Sequence, residues 1–146
     1  MLIGQYHTKI SNKGRTAVPA RFRKELGDKV VITRWYEQSI AIFSPKAWER
    51  ILDLAVGGSL LTRPVRETER FLLGGAYEEE LDAQGRIVIP LPLREIAQIS
   101  EEIVFVGLRD RVEIWNKSIW EEKEKEISGK AELLIEEVQK SNRGGS

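Results

Sequence analysis

Two arginines stand in matching surroundings: Arg15 follows Lys13-Gly14, and Arg86 follows Gln84-Gly85. A glycine in a tight turn supplies the left-handed backbone that other residues resist, so each arginine is expected at the tip of a hairpin loop of about three residues. A guanidinium held there presents a planar fork of donors. It can grip a phosphate at two points or reach O6 and N7 of a guanine in a major groove. The competing account is a solvated charge guarding a strand edge. Ser11 and Asp82 each stand four residues before one of these arginines. A carboxylate at Asp82 is able to fix the plane of Arg86, whereas Ser11 leaves Arg15 without a charged partner. Both residue types also form turns by accepting backbone N–H bonds, and that role carries the greater weight at each position.

The surroundings of the two arginines differ in charge. From Lys9 to Arg34 there are eight basic side chains against Glu25 and Asp28, whereas from Glu78 to Glu95 there are five acidic against Arg86 and Arg94. The whole chain balances 23 Lys and Arg against 23 Asp and Glu, so local field rather than total charge would steer a polyanion. Lys9, Asn12, Lys13, Arg21 and Arg23 are the expected footprint around Arg15, with Lys13 foremost because it sits in the loop. Arg86 is expected to contribute less, since Glu78–Glu80 and Asp82 repel phosphate. Arg23 and Arg94 occupy matching positions in short helices, where a structural salt bridge is the alternative to a nucleic-acid contact.

Composition removes most other chemistries. With no cysteine there is no disulfide, thiolate nucleophile or Cys-based zinc site, and the single histidine, His7, cannot supply a catalytic set or a metal cluster. Neither Gly57-Gly58 nor Gly74-Gly75 continues into a phosphate-binding motif. The run Glu78–Glu80 reads as a solvated face rather than a metal site. No apolar run approaches the roughly 20 residues that span a bilayer, and no secretory signal is read at the N-terminus. The expectation is a cytoplasmic non-enzyme without metal, cofactor, membrane or small-molecule substrate.

The chain repeats itself at an offset of 71 residues. Ile10-Ser11-Asn12-Lys13-Gly14-Arg15-Thr16-Ala17-Val18-Pro19 falls on Leu81-Asp82-Ala83-Gln84-Gly85-Arg86-Ile87-Val88-Ile89-Pro90, Tyr6 on Tyr77, and Arg23 on Arg94. After a small slip, Trp48 answers Trp120. Each copy reads as strand, glycine turn, short strand ending at Pro, short helix (Ala20–Leu26, Leu91–Gln98), two apolar strands (Val30–Thr33 with Ile40–Phe43, Ile103–Val106 with Val112–Trp115) and a helix (Lys46–Leu54, Ile119–Glu126). Repeat one spans 4–55, a linker with a helix at Val65–Leu73 spans 56–74, repeat two spans 75–122, and a helical tail follows over 123–146. Residues 143–146 are expected to be disordered. Core packing is expected for Tyr6, Tyr77, Trp48 and Trp120.

From Gly4 to about Trp120 this pattern resembles the MraZ family of bacterial transcription factors, built from tandem SpoVT–AbrB-like modules. The residues that carry the likeness are Asp82-Ala83-Gln84-Gly85-Arg86, Lys13-Gly14-Arg15 and Arg111-Val112-Glu113-Ile114-Trp115. The family's Asp-x-x-x-Arg motif is complete at Asp82 and Arg86, while Ser11 takes the aspartate's place before Arg15. The resemblance implies an α+β, mainly β fold, with two interlocked repeats forming double-half β-barrels with short flanking helices. It further implies a ring-like homo-oligomer on the nucleoid that binds promoter repeats in double-stranded DNA. Its output would be repression of a cell-wall and division gene cluster. The alternative is an antitoxin-like protein-interaction module on the same scaffold. A hydrolase built on Glu78–Asp82 has little else in its favour.

Overall fold

The computed structural model describes residues 1–144. Repeat one forms β1 (Leu2–Lys9), β2 (Arg15–Ala17), α1 (Ala20–Leu26), β3 (Lys29–Arg34), β4 (Ile40–Phe43) and α2 (Pro45–Val56). Helix α3 (Arg63–Leu72) leads into β5 (Ala76–Glu80), β6 (Arg86–Val88), α4 (Leu91–Ile96), β7 (Glu102–Arg109), β8 (Val112–Asn116) and α5 (Lys117–Gly129) of repeat two, and α6 (Ala131–Gly144) follows. The fold is α+β and mainly β. The polar helix starts act as caps: Ser44 Oγ accepts from the Ala47 amide at 3.2 Å, and Asn116 Oδ1 accepts from the Ile119 amide at 3.1 Å. Helix α4 stops at Ile96, short of the expected Gln98, because Gln98 turns left-handed at φ 54°.

The two repeats exchange strands. Six antiparallel strands form one sheet in the order β1-β7-β8-β4-β3-β5. Repeat one lends β1 to β7, from Leu2↔Arg109 to Lys9↔Glu102, and repeat two lends β5 to β3, from Lys29↔Glu80 to Thr33↔Ala76. The halves meet at the centre, where β4 pairs with β8 through Ile40↔Ile114 and Ile42↔Val112. A two-stranded ribbon, β2–β6, lies across the edges and closes the barrel. This corrects one expectation. β1 and β2 flank the glycine turn but do not pair as a hairpin, because β1 uses its ladder on β7 and β2 meets the equivalent strand of the other repeat. Only the turn itself is closed locally, by the Ser11 amide on the Arg15 carbonyl at 2.9 Å.

Burial on both sheet faces explains why the central strands read as continuous apolar runs. One face, with Val30, Ile32, Ile40, Ile42, Ile103, Phe105, Val112 and Ile114, packs inside the barrel against Phe22, Leu93, Ile87 and Ile89. The other face is covered in halves. Val31, Ala41 and Phe43 meet Trp48 of α2 and Leu72 of α3, while Val104, Val106 and Trp115 meet Trp120 of α5. Trp48 and Trp120 therefore pack as expected, and Tyr6 sets its ring edge-on to Phe22 at 5.0 Å. Tyr77 does not: it is 36% exposed. Leu93 stands where the first repeat has Phe22, so Tyr77 has no equivalent ring to meet.

Helix α6 carries no buried residue. It includes Arg143 and Gly144, which the sequence places in a disordered end, and residues 145–146 lie outside the described residues. Deleting everything after Ser128 should leave the cooperative thermal transition intact. Its loss in that truncation, followed by circular dichroism, would assign the tail to the core.

Candidate nucleic-acid interface

Each glycine turn is built from its own sequence. Gly14 and Gly85 take φ of 83° and 76°, the left-handed conformation expected of them. Ser11 Oγ accepts from the Arg15 amide at 3.1 Å. Asp82 does more with its carboxylate: Oδ1 accepts from the Gln84 and Arg86 amides, both at 2.9 Å, and Oδ2 from Arg86 Nε at 2.8 Å. The Arg86 amide, the Arg86 guanidinium and the Gln84 amide hold the Asp82 carboxyl below its ordinary value of 3.8, against a smaller opposing effect of desolvation. A lowered folded pKa means that the turn's contribution to stability is present above pH 3.8 and is lost as the pH falls through the lowered value. In an NMR titration the Gln84 and Arg86 amides should shift together below pH 3.8, while the Arg15 amide, bonded to a serine, should not follow them. A matching shift at Arg15 would contradict this account.

The ribbon brings the two arginines to one surface. Its register is Arg15↔Val88, Thr16↔Ile87 and Ala17↔Arg86. Residues alternate between faces of a strand, and directly opposed residues share a face. Thr16 and Ile87, 3% and 1% exposed, point into the barrel, and the Thr16 hydroxyl donates to the Lys9 carbonyl at 3.0 Å. Arg15, Ala17, Arg86 and Val88 point outward. Arg15 and Arg86 are diagonal neighbours, a relation that sets backbones roughly 7–8 Å apart. Sequence alone kept them in separate basic and acidic segments.

Their side chains differ in freedom. Arg15 is exposed, and its guanidinium has no hydrogen-bond or ion-pair partner among the described residues. Arg86 is half-exposed and tied to Asp82. Lys9, Asn12, Lys13 and Arg21 are exposed as well. Two of the three glutamates expected to crowd Arg86 turn away from it. Glu78 opposes Val31 and Glu80 opposes Lys29, so both turn to the α2 side of the sheet, away from the ribbon. Glu79 faces the other way, and partial burial pushes its carboxyl above the usual value.

Arg23 and Arg94 form no salt bridge among the described residues. Arg23 Nη1 donates to the Gln84 carbonyl at 3.1 Å, and Arg94 Nε donates to the Ile89 carbonyl at 2.9 Å with Nη1 reaching the Asn12 carbonyl at 3.5 Å. Each guanidinium thus lies on the turn of the other repeat.

This geometry can be set beside known proteins. The family model described as "MraZ protein, putative antitoxin-like" matches residues 1–70 and 72–137. The chain belongs to the MraZ family. A protein named transcriptional regulator MraZ from Caldanaerobacter subterraneus subsp. tengcongensis is 41% identical over 142 residues, covering 97% of this chain and 99% of the relative. Proteins of the same name from Thermoanaerobacter sp. and Moorella thermoacetica are each 41% identical over 138 residues, covering 94% of this chain and 94% and 96% of their own. The motif Arg111-Val112-Glu113-Ile114-Trp115, one carrier of the MraZ likeness, has a structural task. Glu113 is buried and accepts from Arg111 Nε at 3.1 Å and from Trp115 Nε1 at 2.9 Å. Alternation in β8 was the signal for it, since positions 111, 113 and 115 share one face. Among the described residues, no helix is long and apolar enough to cross a membrane.

Proposed function

We propose that this MraZ-family chain is a sequence-specific DNA-binding transcriptional regulator that reads promoter repeats with the β2–β6 ribbon. The observation that carries the reading is the outward face on which Arg15 and Arg86 meet across the two repeats. A two-stranded ribbon fits the major groove of B-DNA, where a guanidinium fork pairs with guanine and apolar side chains touch thymine methyls. Arg15 and Arg86 supply the forks, and Ala17 and Val88, the latter 41% exposed, supply apolar contact. Lys9, Asn12, Lys13 and Arg21 contact phosphates, which set register and strength without reading sequence. Arg23 donates to the Gln84 carbonyl, in the turn that carries Arg86. The relatives' name, transcriptional regulator MraZ, supports the same role.

In this reading the protein works in the cytoplasm, on the nucleoid, as a ring-like homo-oligomer. Several ribbons on successive repeats raise avidity without new contacts. Its output is repression of its own cell-wall and division gene cluster. The test is a titration of duplex DNA from directly upstream of the coding region at two salt concentrations, with light scattering for the oligomer. A salt-dependent, sequence-dependent shift is expected. Equal affinity for scrambled duplex, or none, would favour an antitoxin-like protein-interaction module instead.

A further inference from the structure

The two turns are not independent. The Gly14 carbonyl accepts from the Ile89 amide at 2.7 Å, and the Gly85 carbonyl accepts from the Val18 amide at 3.0 Å, so each turn is stitched to the strand of the other repeat. Arg94 then lies flat against Gly14: a Cβ added there would stand 2.6 Å from Arg94 Nε and 2.8 Å from the Ile89 carbonyl oxygen. Arg23 lies against Gly85 in the same way. The guanidinium at 94 bridges Ile89, at the end of β6, to Asn12, inside the turn that carries Arg15. Both arginines are half-buried, and the contact of Arg94 Nε with the Ile89 carbonyl is itself partly shielded from water.

We propose that Arg94 and Arg23 are crossed positioning residues: Arg94 sets the turn that aims Arg15, and Arg23 sets the turn that aims Arg86. The proposal rests on the reading of Arg15 and Arg86 as DNA contacts. It explains why glycine is needed at 14 and 85 for room as well as for backbone conformation. It also makes each repeat's reading residue depend on a helix of the other repeat, so that the ribbon face forms only when both repeats are folded together.

The test uses the full chain with Arg94→Ala, Arg23→Ala, Arg15→Ala and the Arg15→Ala/Arg94→Ala pair. Without DNA, Arg94→Ala should speed amide hydrogen exchange at Gly14 and Arg15 by roughly tenfold, a local opening, and leave Gly85 and Arg86 protected. Arg23→Ala should do the reverse. With DNA, Arg15→Ala should weaken binding by about tenfold in the wild type but by less than about twofold when Arg94 is already alanine, because a lost aim leaves little to remove. Uniform exchange changes, or changes confined to the mutated repeat, would overturn the proposal. Additive losses on DNA would also overturn it, since Arg94 would then be touching DNA itself. If Arg15→Ala binds like wild type, the DNA reading fails, and the crossed exchange pattern alone decides the positioning. Should Arg94→Ala lose its cooperative transition, Arg94→Lys serves in its place. It keeps the charge but lacks the fork that spans two carbonyls, so the same crossed pattern is expected.

Discussion

Replacing Arg15 by alanine should weaken binding to the upstream duplex by about 1–3 kcal/mol per engaged subunit, the size of one good bidentate contact. Replacing Arg86 should cost less. The difference follows from what each guanidinium already does: Arg15 has no partner among the described residues, while Arg86 gives its Nε to Asp82 at 2.8 Å. If Arg15 grips phosphate, the slope of log affinity against log salt should also fall by about 0.9 per lost contact. Neither variant should unfold, because Arg15 is exposed and the Arg86–Asp82 pair is open to water, where an ion pair adds little to stability. DNA titrations at two salt concentrations, with circular dichroism as the folding control, make the comparison. Wild-type binding by Arg15→Ala together with failure of Arg86→Ala would move the reading face to the second repeat. No change in either variant would remove the ribbon from the DNA reading altogether.

The sequence displayed its repeat, its element order and its glycine turns because these depend on local chemistry. Pro19 and Pro90 stop strands, Gly14 and Gly85 permit left-handed backbone, and Ser44 and Asn116 cap helices, all within a few residues of where they act. What it did not display is pairing. A glycine turn between two strands signals a hairpin by default, and only the competing ladder with β7, some ninety residues away in the chain, tells β1 to turn elsewhere. The same long-range exchange hid the site. Arg15 and Arg86 became neighbours, and Arg23 and Arg94 became turn supports, only once β2 had met β6. The matched positions of Arg23 and Arg94 were the available signal, since a helix arginine repeated with its glycine turn points to a shared contact. A salt bridge was the wrong partner for it: the acceptors are carbonyls, which leave no mark in sequence.

Cutting the chain between Gly57 and Gly58 should abolish folding of repeat one as a monomer. Residues 1–57 retain only the β3–β4 pairing; β1 loses β7, β2 loses β6, and β3 loses β5. The barrel interior is equally divided, since Phe22, Ile32 and Ile42 pack against Ile87, Leu93, Phe105 and Ile114 of the other repeat. Loss of that much shared core is on the scale of the whole stability of a small domain, about 5–15 kcal/mol. The pseudo-symmetry offers the fragment one remedy. β1 of one copy can take the place on β3 of a second copy that β5 occupies in the intact chain, and β4 can pair with β4 as it does with β8. Folding of residues 1–57 should therefore be concentration-dependent, with sedimentation reporting a dimer whenever circular dichroism reports structure. A cooperative melt that is independent of concentration, at the mass of one fragment, would show that a single repeat holds its own core. Apart from that case, the two repeats are one folding unit, and the arginine face exists only as a product of their exchange.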